Sequence, residues 1–304
     1  MNKNQLGKSK LHVSPLSLGC MSLGTNVTKA TNIIDEALDL GINYLDTADL
    51  YDQGKNEEIV GKAIKHKRDQ VILGTKVGNH LKEDGSWFWD PRKSYIKDQV
   101  KDSLRRLQVD YIDLYQLHGG TIEDPIDETI EAFDELVAEG IIRYYGISSI
   151  RPNVIRQYIE RSKIVSVMMQ YSILDRRPEE EMFQLLDQHN ISVVTRGSLA
   201  KGMLSNNGLE VTNTKAQKGY LDYDKESLIQ TVKQLKEVLQ GNQTLTGLAL
   251  QYVLQNSAIS SVVTGASSIE QLKENVNALN QNFEPEQFKQ VQNISIANKY
   301  QQHR

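Results

Sequence analysis

Short runs of β-branched and aliphatic residues alternate with stretches of helical periodicity along almost the whole chain. Eight of these runs predict strands: Leu16–Gly19, Asn43–Asp46, Val71–Lys76, Ile112–His118, Tyr144–Ser148, Val165–Gln170, Ile191–Arg196 and Ile259–Thr264. Between them, apolar residues recur at helical spacing. Ile33, Ile34, Ala37 and Leu38 form one such stripe before Gly41, and Ile96, Val100, Leu104 and Leu107 form another. A further helix is bounded by Asp124-Pro125 at its start and Gly140 at its end, with proline entering and glycine leaving. Eight strand–helix units predict an α/β fold, a parallel (β/α)8 TIM barrel, with a doubly wound open sheet as the alternative arrangement. Leu6–Pro15 carries Gly7-Lys8-Ser9 between two short candidate strands and predicts an N-terminal β-hairpin closing the barrel bottom. No linker rich in Pro, Gly or Ser interrupts the pattern, so residues 1–304 are expected to form a single domain.

Two connections, Val77–Pro91 and Met203–Asp224, are longer than the usual few residues and read as loops. Both follow strands, which in a barrel puts them on the catalytic face. Both tryptophans of the chain, Trp87 and Trp89, fall in the first, and predict an aromatic wall of a substrate pocket.

Composition narrows the function classes. The chain has 304 residues, 39% hydrophobic and 24% charged, enough to bury a full core without disulfide or structural metal. Its net charge of −4 and lack of a dense basic run argue against nucleic acid as a partner. No run approaches the roughly 18 apolar residues that span a bilayer, and MNKNQLGKSK has no apolar core of a secretory signal. The lone cysteine, Cys20, excludes an internal disulfide and a multi-cysteine zinc site, and reads as a packed small residue. These features predict a cytoplasmic protein. No heptad or exposed strand edge indicates an oligomeric state.

Polar residues at barrel strand ends point toward the shared mouth. Asp46 ends the second strand, with Tyr51 just beyond it; Lys76 ends the third and His118 the fourth. Singly, each has an ordinary structural explanation: a turn aspartate, a packed tyrosine, an ion-paired lysine, a core histidine. Together they form a chemical unit. A free tyrosine, with a pKa of about 10, is a reluctant acid at neutral pH. An ammonium beside a phenol favours phenolate, and a carboxylate beside that ammonium keeps it charged. A neutral imidazole can orient a carbonyl oxygen by hydrogen bonding. This set suits protonation of an alkoxide as it forms. It lacks an acyl-transfer nucleophile, and no histidine or carboxylate cluster suggests a metal. A hydride donor is missing, so a cofactor is implied.

Gly41–Tyr51 (GINYLDTADLY), Thr75–Val77 (TKV), Leu117–His118, Gly146–Ser149 (GISS) and the late segment ending in Gln271–Asn275 (QLKEN) resemble the aldo-keto reductase family, in order and across nearly the whole chain. The resemblance implies a (β/α)8 barrel that interconverts carbonyls and alcohols with NADPH, or less often NADH. The small-molecule substrate is then an aldehyde or ketone. It also places the family's catalytic tetrad on Asp46, Tyr51, Lys76 and His118, in agreement with the chemistry above.

The loops after the seventh and eighth strands of barrels commonly hold phosphate. Here they are Arg196–Gly202 (RGSLAKG) and Thr264–Asn275, a glycine turn opening a helix. With the resemblance, Arg196, Gly197, Ser198, Leu199, Gly202, Gly265, Ser267, Gln271, Glu274 and Asn275 are expected to contact the dinucleotide. Ser148, Ser149 and Gln170 are expected to hold the nicotinamide carboxamide. The chain departs from many relatives, which carry Asn where Ser149 stands, an aromatic residue near Arg196, and Lys or Arg at the positions of Gly265, Ser267 and Gln271. Lys273 is a candidate replacement cation. The family favours NADPH, and these departures leave NADH open. Two alternatives remain at this point: a cofactor-binding regulatory subunit resembling potassium-channel beta subunits, and a sugar-phosphate lyase or isomerase. The complete tetrad and the missing N-terminal extension weigh against the first. The second has no need of a Tyr-Lys-Asp set.

Overall fold

The computed structural model describes all residues 1–304. Two short antiparallel strands come first, β1 (Asn4–Gln5) and β2 (His12–Val13). Strands β3 (Leu16–Gly19), β4 (Tyr44–Asp46) and β5 (Ile72–Val77) follow. After a second hairpin, β6 (Asn79–Leu81) and β7 (Trp87–Trp89), come β8 (Ile112–Leu117), β9 (Ile142–Ser148), β10 (Ser166–Gln170), β11 (Ser192–Arg196) and β12 (Ile259–Gly265). The eight strands β3, β4, β5, β8, β9, β10, β11 and β12 pair in parallel and close into a barrel, each next to its sequence neighbour, with β12 returning to β3. All eight expected strands are present, with ends shifted by a residue or two, and the open-sheet alternative is overturned by the β12–β3 pairing.

The barrel is filled and surrounded by two apolar layers. Tyr44, Leu114, Val165, Met168 and Val194 meet inside it with Leu6, Leu11 and Val13 of the N-terminal segment. That segment is the plug the sequence predicts. Gly7 donates its N–H to Ser192 Oγ at 2.7 Å, and Asn4 Nδ2 donates to the Ser260 carbonyl at 2.9 Å, tying the hairpin to the starts of β11 and β12. The larger core lies between the sheet and the outer helices, where Ile33, Ile34 and Ala37 of Val27–Asp39 and Ile96, Val100 and Leu107 of Lys93–Leu107 are buried. Asn26 caps the first of these helices by accepting from Lys29 N, and Gly41 turns the chain out of it at φ 90°.

The two long connections are not plain loops. Val77–Pro91 contains the β6–β7 hairpin, in which Asn79 pairs with Trp89 and His80 with Phe88. His80 stacks between Phe88 and Tyr95, with ring centroids 4.5 and 4.3 Å away, and such cross-strand aromatic contacts stabilise a short hairpin. Met203–Asp224 contains the helix Gly208–Lys215. Only Gly208 and Thr212 of that helix are buried, so it carries no apolar stripe for the periodicity to reveal.

Candidate active site

Register brings the strand-end residues together. Asp46 pairs across the sheet with Gly74, two residues before Lys76, and Lys76 pairs with Gln116, two residues before His118. Side chains two apart on a strand share a face. Tyr51 follows β4 on a tight turn, in which Asp52, Gln53 and Gly54 all take positive φ. The Lys76 ammonium uses all three of its donors: to Asp46 Oδ1 at 2.5 Å, to the Thr47 carbonyl at 2.8 Å and to the Tyr51 hydroxyl at 3.2 Å. The rings of Tyr51 and His118 meet edge-on at 5.8 Å. The four residues singled out by sequence therefore form one cluster.

Both side chains of the Lys76–Asp46 pair are almost fully buried, at 1% and 4% exposure. Burial opposes the ammonium, but Asp46 and then Tyr51 outweigh it and hold Lys76 above the ordinary lysine value. His118 goes the other way: burial, followed by the positive charges of Lys76 and Arg196, pulls it down to about 3, so the imidazole is neutral at physiological pH. Asp49, in the same D-T-A-D motif, is buried with both carboxylate oxygens unpartnered. Burial first, and then Glu57, push it well above the ordinary carboxylate value.

Residue-by-residue reading missed three supports of this cluster. Tyr44 OH donates to Asp46 Oδ2 at 3.2 Å, Gln116 Nε2 reaches the same oxygen at 3.3 Å, and the Thr47 carbonyl takes one Lys76 proton. A period-two reading would have found the first two, since Tyr44 lies two residues before Asp46 and Gln116 two before His118.

A cleft of about 1460 Å³ opens over the cluster. It reaches past Ser148 and Ser149 at the end of β9, Gln170 at the end of β10, Arg196–Leu199 and Gly202 after β11, and Gly265, Gln271, Glu274 and Asn275 after β12. Ser267 is exposed at the edge and does not line it. Gln170 Oε1 accepts from Arg196 Nη1 at 3.1 Å, while its Nε2 donates to Asp175 at 2.8 Å and to Tyr220 OH at 3.2 Å. Ala200, Lys201 and Gly202 all have positive φ, making a tight backbone turn at the cleft wall. The helix Ile269–Ala278 opens beside it, capped by Ser268. Gln271 Oε1 accepts from both Ser267 N and Ser267 Oγ, and Thr246 Oγ1 donates to Glu274. Asn275 Nδ2 bonds the Gly265 carbonyl at 3.4 Å. Lys273, the candidate replacement cation, forms a partly exposed ion pair with Glu36 at 3.1 Å.

Trp87 and Trp89 both line the cleft. Trp87 is 53% exposed, whereas the Trp89 indole N–H donates to the Asp124 carboxylate at 2.9 Å. Met21, following β3 and 64% exposed, joins them at the rim; nothing in the sequence pattern singled it out. The donor set fits a nicotinamide dinucleotide. Hydroxyl and amide groups of Ser148, Ser149 and Gln170 match a carboxamide, the glycine-rich turn and capped helix offer backbone N–H groups to a pyrophosphate, and the cleft is large enough for both with a substrate. No group of three or more His, Cys, Asp or Glu residues is arranged to hold a metal ion.

Comparison with known proteins agrees with this geometry. Residues 15–296 match the model of the Aldo/keto reductase family. An uncharacterized oxidoreductase of Bacillus subtilis, YqkF, is 56% identical, with 100% of both chains aligned. An NADH-specific methylglyoxal reductase of Escherichia coli is 32% identical over 93% of this chain and 95% of its own. Among solved structures, the holo form of the aldo-keto reductase AKR11C1 from Bacillus halodurans superposes with a TM-score of 0.92 at 58% identity, covering 100% of this chain and 99% of that one. With a closed parallel barrel, a strand-end Asp-Tyr-Lys-His cluster and this agreement over its whole length, the chain belongs to the aldo/keto reductase family and is an NAD(P)H-dependent carbonyl-reducing oxidoreductase.

Proposed function

We propose that Tyr51 is the proton donor in carbonyl reduction, with Lys76 and Asp46 stabilising its phenolate and His118 orienting the substrate oxygen. The observation that carries this reading is the Lys76 ammonium shared among Asp46, the Thr47 carbonyl and the Tyr51 hydroxyl. When bound, the dihydronicotinamide supplies a hydride to the carbonyl carbon. Tyr51 gives its proton to the oxygen as negative charge develops there, and Lys76 holds the resulting phenolate until solvent returns a proton. His118, neutral, can donate a hydrogen bond without competing for that proton.

Ser148, Ser149 and Gln170 would hold the carboxamide, with the amide of Gln170 fixed by Arg196, Asp175 and Tyr220. Arg196–Gly202, Gly265 and the start of Ile269–Ala278, including Gln271, Glu274 and Asn275, would take the pyrophosphate and adenosine, with Ser267 at the edge. We favour NADPH as the working cofactor, with NADH also accepted. Arg196, Lys201 and Lys215 line the cleft and favour a more anionic dinucleotide. Ser267 and Gln271 offer only neutral partners, so discrimination is modest. The relative named as NADH-specific weighs toward NADH. The substrate is a small aldehyde or ketone. The whole chain is taken as one catalytic domain, and as cytoplasmic: its one cysteine is buried and unpaired, and no helix is long and apolar enough to cross a membrane.

Titration of the purified protein with NADPH and NADH, followed by an aldehyde panel at the nicotinamide absorbance, tests this. Reduction that is lost in Tyr51→Phe is expected. Tight dinucleotide binding with no turnover of any carbonyl would replace this reading with a regulatory one.

A further inference from the structure

Trp89 is held on the His118 side of the cleft by contacts that sequence reading did not anticipate. A Cβ placed at Gly78 would lie 2.6 Å from its ring, and one at Gly119 would lie 3.2 Å from it. The indole therefore rests against two bare backbone segments, one just past β5 and the other immediately after His118. At Gly78, with φ 123°, a side chain is opposed by both the backbone conformation and the ring, and at Gly119 it would press the ring. The Asp124 carboxylate then fastens the ring from its polar edge. It accepts the indole N–H at 2.9 and 3.0 Å, the Thr121 N–H at 2.8 Å and the Thr121 hydroxyl at 2.7 Å. Three neutral donors occupy this carboxylate, the indole N–H being shared between its two oxygens. The two Thr121 bonds alone would serve the turn, so the reach to a ring on another loop is an additional role. The same loop is pinned from its far side by Arg151 Nη1, which donates to the Gly120 carbonyl at 2.7 Å.

From this geometry we propose that Asp124 is a positioning residue that fixes Trp89 as a flat, rigid wall beside His118, and so makes the enzyme select carbonyl compounds bearing a planar apolar substituent, such as an aryl ring. Trp89, against Gly119 next to His118, shares the cleft with Tyr51 and with the apolar Leu50, Trp87 and Met21, so these are the apolar groups available to the substituent of a carbonyl bound there. The opposite side, Ser148, Ser149 and Gln170, is polar. A fixed indole face offers a planar group stacking and burial at no cost in wall ordering, whereas a short alkyl group gains little from it. Asp124 acts only through the ring.

This inference rests on the carbonyl-reductase reading, and the experiment keeps the two apart. KM and kcat are measured for benzaldehyde and for propanal in the parent, Asp124→Ala, Asp124→Asn, Trp89→Leu and the double variant. The ratio of the benzaldehyde KM to the propanal KM is expected to rise about tenfold in Asp124→Ala and less in Asp124→Asn, which retains one acceptor. The double variant is expected to match Trp89→Leu, because the two substitutions remove one interaction. Equal losses on both aldehydes, or additive effects in the double variant, would overturn the role. A second readout needs no turnover: in a Trp87→Phe background, benzyl alcohol is expected to quench the remaining Trp89 fluorescence, and Asp124→Ala to weaken that binding about tenfold. Unchanged binding overturns the proposal even if the parent reduces neither aldehyde, an outcome that would separately overturn the reductase reading.

Discussion

The Tyr44 hydroxyl lies 3.2 Å from Asp46 Oδ2, so the carboxylate that faces Lys76 with one oxygen is anchored to the barrel interior by the other. Tyr44 reaches this point because Gly74, the cross-strand partner of Asp46, leaves its ring room: an added Cβ there would stand 2.7 Å from the tyrosine ring. Gly74→Ala should therefore push Tyr44 off Asp46, costing about 1–3 kcal/mol of stability as an overpacked core does. A fall in denaturation midpoint accompanied by reduced turnover is expected, and wild-type values of both would show that the interior tolerates the methyl group.

Tyr51→Phe removes a hydroxyl and leaves the cleft intact. Dinucleotide affinity should stay within about twofold of wild type, while kcat for carbonyl reduction falls by roughly 10²–10⁴. Stopped-flow measurement of the reduction step separates this from a change in product release.

Lys76→Met strands Asp46 in a nearly dry site. Breaking a buried pair from one side costs about 3–5 kcal/mol, more than the packing lost with the lysine stem. Chemical denaturation should show that loss, and Lys76→Met/Asp46→Leu should regain part of the stability without regaining turnover. A double variant no more stable than the single one would mean that the unpaired carboxylate is not the source of the loss.

His118 gives a signed pH dependence. Its value falls from the ordinary 6.5 to about 3 in the folded chain, so between those limits the unfolded chain binds a proton that the native one does not. Stability therefore rises with pH across that window and is lost as pH drops, by up to about 1.4 kcal/mol per pH unit from this group. Other groups titrate there too, so the measure is the difference from His118→Asn, whose unfolding free energy should depend less steeply on pH between 6.5 and about 4. Identical slopes would place the imidazole in a wetter site than its burial implies.

Gln271→Arg puts a cation where a neutral amide now satisfies Ser267. NADPH binding should tighten relative to NADH by roughly tenfold, about 1.5 kcal/mol for one hydrogen bond to a charged group. Fluorescence titration with both dinucleotides reads the ratio, and an unchanged ratio would move the adenosine end away from this helix start.

The sequence by itself determined the eight strands, because each is a short apolar run bounded by turns and flanked by helical stripes, and these patterns are local. The four catalytic candidates were equally legible: polar residues at the mouth ends of buried parallel strands interrupt an otherwise apolar rule. Lys76 and His118 each stand out in this way, at the ends of β5 and β8. Only the tertiary structure decided who supports them. Period two puts Tyr44 and Gln116 on the right strand faces, but their meeting at Asp46, across the 72 residues between them, is set by barrel closure and register. The same holds for Lys273, which looked free to meet a phosphate until the fold set Glu36 beside it, and for Trp89, whose partner Asp124 had looked like a helix-start residue alone. Periodicity records which face of an element is buried; it does not record which two elements share a corner. That is set by how strands stagger around a closed sheet.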